Sequence, residues 1–320
     1  MSVARPFVRN AAMTAIAIGY SNPDVAYIGD RLMPRVPVPT ERFKWLEYPL
    51  GQAFTVPDTR VGRKGKVKEV EFSATEKDGS VEAYGLQIVV PRSDIDAAKA
   101  QRDQGLSNFD PLHYATGTLT NIMQLDRELR VAKFAQDPAN YDPANVTTIA
   151  SAGDRFDDPD SDPEDAIHTA LVGVFMTRPN TCAMSDEVWQ KLRRQPKLVK
   201  KIKGTNFAEG QLTQREFAEY FELLNLLIGT SWVNAARPGQ ALNMKRAWDK
   251  HIAFAFIDRS ARPEGGVTWG FSPTFGTRFA GSMVDPDVGL EGGEVVRVGE
   301  HINELVVAKA AGALIVNAIS

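Results

Sequence analysis

Disulfides, zinc knuckles and conventional membrane spans are all hard to build from this sequence. Cys182 is the one cysteine among 320 residues. It has no internal partner, which points to an intracellular folding environment and excludes a cysteine-ligated metal site. No apolar run approaches the roughly 20 residues that cross a bilayer. Leu305 to Ile319 is the strongest candidate, but it is short and carries Lys309, so it reads as buried strands. Arg5 and Arg9 before AAMTAIAIGY faintly suggest a secretory signal, yet no convincing cleavage site follows and no removal is expected. Excess charge of one sign is also missing. With 37 Lys and Arg against 40 Asp and Glu, the net charge is −3, and nothing demands a nucleic-acid partner.

The usual chemical signatures are absent too. His113, His168, His251 and His301 are scattered, without HExxH spacing. There is no GxGxxG, no GxxxxGK[ST], no GxSxG and no kinase signature. The acidic loop DRFDDPDSDPED places Asp158, Asp160 and Asp162 like the first ligands of an EF-hand. Pro163 then stands where the glycine belongs and Thr169 where the bidentate glutamate belongs, so calcium is not expected. Asn145-Val146-Thr147 matches a glycosylation acceptor that means nothing without secretion. No catalytic residue, cofactor or metal is therefore expected.

What the chain does have is a long helical pattern, PLHYATGTLTNIMQLDRELRVAKFAQ, from Pro111 to Gln136. Asp110 suits the N-cap, Pro111 suits the first helical position, and Asp137-Pro138 stops the run. Leu112, Ala115, Leu119, Ile122, Met123, Leu129 and Ala132 form one apolar stripe. Gln124, Asp126, Arg127 and Arg130 fall mostly off it. At roughly 1.5 Å per residue the helix is about 39 Å long, a spine against which a sheet can lie.

Residues 1 to about 50 read as an extended arm, since Pro6, Pro23, Pro34, Pro37, Pro39 and Pro49 repeatedly interrupt helix and central-strand pairing. Two alternating runs follow, KVKEVEFSA and VEAYGLQIVV, with Asp78-Gly79 between them. This spacing predicts a long β-hairpin over Lys66 to Val90. Such a hairpin is marginal alone and must dock on something, either another copy or an internal sheet. A capped helix is expected from Ser93 to about Gln104.

Beyond the spine come a strand near Asn145 to Ala150, a helix opening at Pro163, and an alternation of short strands and helices to about Ala236. Ser185 is a helix cap there, and Thr213 with Glu216 a capping box. The basic run KLRRQPKLVKKIKG could meet phosphates, although inward Leu192, Leu198, Val199 and Ile202 favour a solvated or subunit-facing surface. The end of the chain returns to strands, HIAFAFID, VTWGFSPTFGTRF and VVRVGEHINELVVAKAAGALIVNAI. Their terminal part is expected to lie on the spine.

In this order, an arm, a hairpin, a short helix, a spine, an inserted α/β unit and terminal strands, the sequence resembles the major capsid proteins of tailed bacteriophages with the Hong Kong 97-type fold. SDPEDAIHTA, RPNTCAMSDEVWQKLRRQPKLVKKIKG and GGEVVRVGEHINELVVAKAAGALIVNA carry the likeness locally. The resemblance implies an α+β chain with an N-terminal arm over 1–54 and an extended β-hairpin loop over 55–92. A peripheral domain over 93–169 holds the spine, an axial domain covers mostly 170–290, and the terminal strands 291–320 rejoin the peripheral domain.

The same likeness implies pentamers and hexamers of one chain closing into an icosahedral shell around double-stranded DNA held by non-specific proximity, without a membrane. It also implies assembly in the host cytoplasm, a separate scaffolding protein, a portal and a cement protein. Arg35, Val36 and Val38 of the arm, with Val70, Phe72, Asp78, Gly79, Tyr84 and Leu86 of the hairpin, are the expected inter-subunit contacts. A cellular nanocompartment of the encapsulin kind, or an α/β enzyme with a deep polar pocket, remain the alternatives.

Overall fold

The computed structural model describes residues 8–9, 27–47, 54–67, 69–70, 75–175, 177–204, 210–237, 239–260 and 266–320. In chain order the arm supplies β1 (Val8–Arg9), α1 (Gly29–Leu32), β2 (Arg35–Val38) and β3 (Arg42–Glu47). β4 (Thr75–Ser80), β5 (Glu82–Pro91), α2 (Arg92–Asp103) and the spine helix α3 (Pro111–Gln136) come next.

The middle of the chain adds β6 (Val146–Thr148), α4 (Pro163–Gly173), β7 (Thr181–Ser185), α5 (Asp186–Leu192), α6 (Pro196–Lys203), α7 (Gln214–Tyr220) and β8 (Asn225–Gly229). β9 (Trp232–Asn234), β10 (Met244–Arg246), β11 (Ile252–Ala255), β12 (Gly270–Asp285), β13 (Gly293–Ile302), β14 (Leu305–Val306) and β15 (Gly312–Val316) complete it.

α3 has the bounds its sequence marks. The Asp110 carboxylate accepts N–H bonds from Leu112 at 2.9 Å and His113 at 3.3 Å, and Pro111 occupies the first turn. Its stripe is shifted from the expected one: Thr116, Thr120 and Glu128 are buried as well, and Leu129 is only half-buried. Ile122 is exposed, whereas Arg127 is only 3% exposed because it lies one turn from both Met123 and Val131, on the buried side.

Two sheets meet this helix. In the first, β12 pairs with β13, β1 and β14 antiparallel and with β2 parallel, and β13 pairs with β5 from Gly293↔Pro91 to Ile302↔Glu82. Gly276, at φ +70°, sits where the β12–β13 register slips between Phe275 and Phe279, a bulge that bends the long strand. Val90, Ala280, Val296 and Val298 pack on Ala115, Leu119 and Met123 of the spine's first half. At about 1.5–3 kcal/mol for each large side chain removed from water, this contact is a main apolar tie between sheet and helix.

The second sheet runs β6-β15-β11-β7-β8. Alternation sorts its side chains. Cys182, Met184, Ile252, Phe254, Ala313 and Ile315 face a core closed by Leu171 of α4, Trp189 of α5, Leu198 of α6 and Phe217 of α7. Ala183, Ala253, Ala255 and Leu314 face the other way, with Val131, Ala132 and Ala135 of the spine in the same cluster. The small residues let helix and sheet approach closely. Caps fix the covering helices: Ser185 Oγ accepts from Val188 N at 3.2 Å, Gln195 Oε1 from Leu198 N at 2.8 Å, and Thr213 and Glu216 form the capping box.

Three expectations are corrected. Of the first alternating run, residues 68 and 71–74 lie outside the described residues, and the segment expected as the turn between the two runs is itself a strand. Thr75–Ser80 pairs with Arg42–Glu47 of the arm, and Glu82–Pro91 pairs with Gly293–Ile302. Asp78 and Gly79 are strand residues opposite Lys44 and Phe43, because a turn-like dipeptide does not make a turn when a partner strand is available. α2 begins without a side-chain cap, with Pro91 at its N-cap position. Finally, β13 lies on the spine as expected, but Leu314-Ile315-Val316 lies inside the second sheet, with Leu314 and Val316 on the spine side and Ile315 turned away.

Candidate functional site

The β3–β4 hairpin is a sheet of its own among the described residues, with register from Arg42↔Ser80 to Glu47↔Thr75. Two strands are marginal in water. Its stiffness comes from one face, where Phe43 and Trp45 lean together at 6.1 Å over Gly79. A Cβ on Gly79 would come within 2.6 Å of the Phe43 ring and 3.0 Å of Trp45, so the glycine makes room for both aromatics. Lys44 bonds Glu76 at 2.7 Å on the exposed side. The base is tied by Val81 N to Glu41 O at 2.9 Å and by Asn303 Nδ2 to Ser80 O at 2.8 Å.

Beyond β3, the described part of 54–70 carries Phe54, Val56, Val61, Val67 and Val70 toward solvent, Val56 being 88% exposed. Phe54 meets Phe175, at the end of α4, edge to face at 5.7 Å. At the hairpin's base an open concavity of about 890 Å3 is bounded by Val38, Pro39, Thr40, Arg42, Phe43 and Gly79, among others.

The expected contact residues divide into three groups. Val70, Asp78 and Leu86 are exposed, and Gly79 lies under the two aromatic rings. Val36 and Val38 are buried in their own subunit by pairing of β2 with β12, and Arg35 and Tyr84 are half-buried. Phe72 lies outside the described residues.

Arg35 and Tyr84 lead into a polar cluster that the sequence reading missed. Arg127 Nη2 lies 2.7 Å from Asp30 and donates to Met33 O and Ser272 Oγ, each at 3.1 Å. Arg35 bridges Asp30 at 3.0 Å and Glu300 at 2.7 Å, and Arg278 reaches Glu300 at 3.2 Å. Arg130 bonds Glu304 at 3.0 Å, pairs with Asp126, and sets its guanidinium 3.8 Å from the centre of the Tyr84 ring. One turn of α3 thus fastens the arm and both long strands.

Burial opposes ionisation of Asp30 and Glu300. The guanidiniums of Arg127 and Arg35 beside Asp30, and of Arg35 and Arg278 beside Glu300, outweigh it and hold both carboxyls below their usual values. Glu128 behaves differently. Burial pushes its carboxyl up, although it accepts from Ile28 N at 3.0 Å, Gly29 N at 2.7 Å and Trp248 Nε1 at 2.7 Å. That single side chain joins arm, spine and the entrance to β11. The fourfold spacing Ala115, Leu119, Met123, Arg127, Val131, Ala135 was the signal that could have revealed the anchor.

A protruding hairpin and an anchored arm on a spine and two sheets define a shell-subunit architecture of the Hong Kong 97 type. The crystal structure of a phage-related protein from Bordetella bronchiseptica has this fold, with a TM-score of 0.73 at 21% identity over 98% of both chains. In the capsid structure of cyanophage P-SCSP1u the TM-score is 0.59, at 11% identity over 94% of this chain and 91% of that one. No family model matches the sequence. The major capsid protein of Pseudomonas phage JBD67 is 42% identical over 315 residues, 98% of each chain. The chain belongs to the major capsid proteins of tailed bacteriophages. This relationship favours the phage reading over the cellular-compartment alternative.

Proposed function

We propose that many copies of this chain join as pentamers and hexamers and close into the icosahedral head shell that encloses phage DNA. The observation carrying this reading is the hairpin. It is an isolated two-stranded ribbon leading to a segment rich in exposed valines, and such a piece gains stability only by lying across another surface. The two-sheet body, with its three buried clusters, is the tile. The hairpin and the segment beyond it reach the adjacent copy, while the second sheet and its helices sit toward the capsomer centre. The work is mechanical, and no group is assigned a catalytic role. A scaffolding protein, a portal and a cement protein complete the assembly in the host cytoplasm, and the finished protein resides in the virion.

Replacing residues 54–70 by a short glycine-serine linker tests the reading. The body should keep its cooperative thermal transition while sedimentation shows only monomers or small oligomers. Normal shells from this variant would overturn the role given to the hairpin and its outer segment, and wild-type protein that forms no shells would overturn the shell reading.

A further inference from the structure

The turn between β12 and β13 and the concavity under the hairpin sit at opposite ends of one sheet. β13 runs from Gly293, opposite Pro91, to Ile302, opposite Glu82. Nine steps at about 3.3 Å put its two ends roughly 30 Å apart. The turn therefore cannot reach the concavity of its own subunit.

Leu290, in this turn, is 100% exposed, and Val284 beside it is 67% exposed. Asp285, Asp287, Glu291 and Glu294 surround them, and no lysine or arginine occurs from 284 to 294. The turn is held in shape. Asp287 N donates to the Asp285 carboxylate at 3.1 Å, Gly289 and Gly292 take φ values of +59° and +80°, and Val288 lies against Gly293, where a Cβ would come within 2.8 Å. Leu290 is thus a fixed apolar knob in an acidic collar.

The concavity offers the converse. Val38, Pro39 and Phe43 give it apolar walls, Arg42 lines it as an exposed cation, Lys44 lines it already paired with Glu76 at 2.7 Å, and Asp78 lines it too. An apolar anchor with an oppositely charged rim is the arrangement that carries specific association.

We propose that the Leu290 turn of one copy seats in the hairpin-base concavity of the next, with the acidic collar against Arg42. The contact is head-to-tail, so it builds a ring or lattice instead of a closed pair. It rests on the shell reading above and names one of the surfaces that reading requires.

Cys182 is buried, so introduced thiols report cleanly. Shells assembled from a mixture of Thr40→Cys and Glu291→Cys copies should give a disulfide-linked dimer under mild oxidation, and neither variant alone should. Leu290→Ser should lower shell yield at least tenfold with its melting transition retained. Arg42→Glu and Glu291→Arg should each lower the yield, and together should restore it.

Mixed shells without the linked dimer, Glu291→Cys copies linking to themselves, or a charge swap that fails to restore assembly would each overturn the proposal and leave the shell reading intact. If the cysteine variants do not assemble, the charge swap decides. Wild-type protein that forms no shells at all would remove both readings.

Discussion

Arg127, in the middle of the spine helix, holds Asp30 of the arm at 2.7 Å across 97 residues of sequence. The pair is one-sided: the guanidinium is 3% exposed while the carboxylate is 54% exposed, so the buried partner, Arg127, carries the cost if the contact is broken.

Arg127→Met should cost about 1–3 kcal/mol, because the buried Met33 O and Ser272 Oγ lose their donor while Asp30 keeps Arg35 and Glu304 keeps Arg130. Arg127→Lys should fall short of wild type as well, since Nη2 meets Asp30, Met33 O and Ser272 Oγ while Nη1 lies 3.5 Å from Glu304, and one ammonium cannot occupy both positions. Denaturant unfolding measures both. Amide exchange should show protection lost first at residues 28–38.

Acid should loosen the same anchor. Asp30 and Glu300 have folded values below their ordinary 3.8 and 4.5, so their contribution is complete above about pH 4.5 and is lost as pH falls through the lowered values. Glu128 has the opposite sign. Its raised folded value means that ionisation costs stability as pH rises through the window above 4.5. Unfolding free energy measured from pH 3 to 7 should fall toward the acid end, and Glu300→Gln should flatten that acid slope.

Gly229→Ala tests how the second sheet is tied to the anchor. A Cβ there would come 2.1 Å from the Trp248 ring, whose Nε1 bonds Glu128. Displacing the indole should cost about 1–3 kcal/mol from overpacking, with the Glu128 bond lost in addition. Thermal melting and the Trp248 fluorescence should both change.

Gly79→Val should act on the hairpin alone. The added side chain displaces Phe43 and Trp45 while the three buried clusters remain whole. The melting temperature should hardly move, whereas shell yield should drop. Sedimentation and calorimetry on the same preparation separate the two effects.

Much of this architecture can be read from local chemistry. The spine's limits are marked by Asp110-Pro111 and Asp137-Pro138, and the second sheet's helices by Ser185 and the Thr213–Glu216 box. Each signal acts within a few residues, so the chain displays it directly. Strand partners are different. Alternation marks Glu82–Pro91 as extended without saying what it lies beside, and Asp78-Gly79 imitates a turn although Thr75–Ser80 is a strand whose Gly79 serves two aromatic rings of a distant one. The buried run at Gly312–Val316 likewise does not say which sheet it joins. Arg127 and Glu128 are hidden for another reason: their burial is made tolerable by Asp30, Trp248 and backbone groups that come from far along the chain.

Cryo-electron microscopy of particles assembled from the chain expressed with its neighbouring genes addresses the central claim most directly. The account requires closed shells in which density for Arg42–Glu47 and Thr75–Ser80 leads outward and the segment between them rests on an adjacent copy. Particles in which the segment beyond Phe54, whose ring already meets Phe175, folds back onto its own subunit, or a preparation of dispersed monomers, would contradict it.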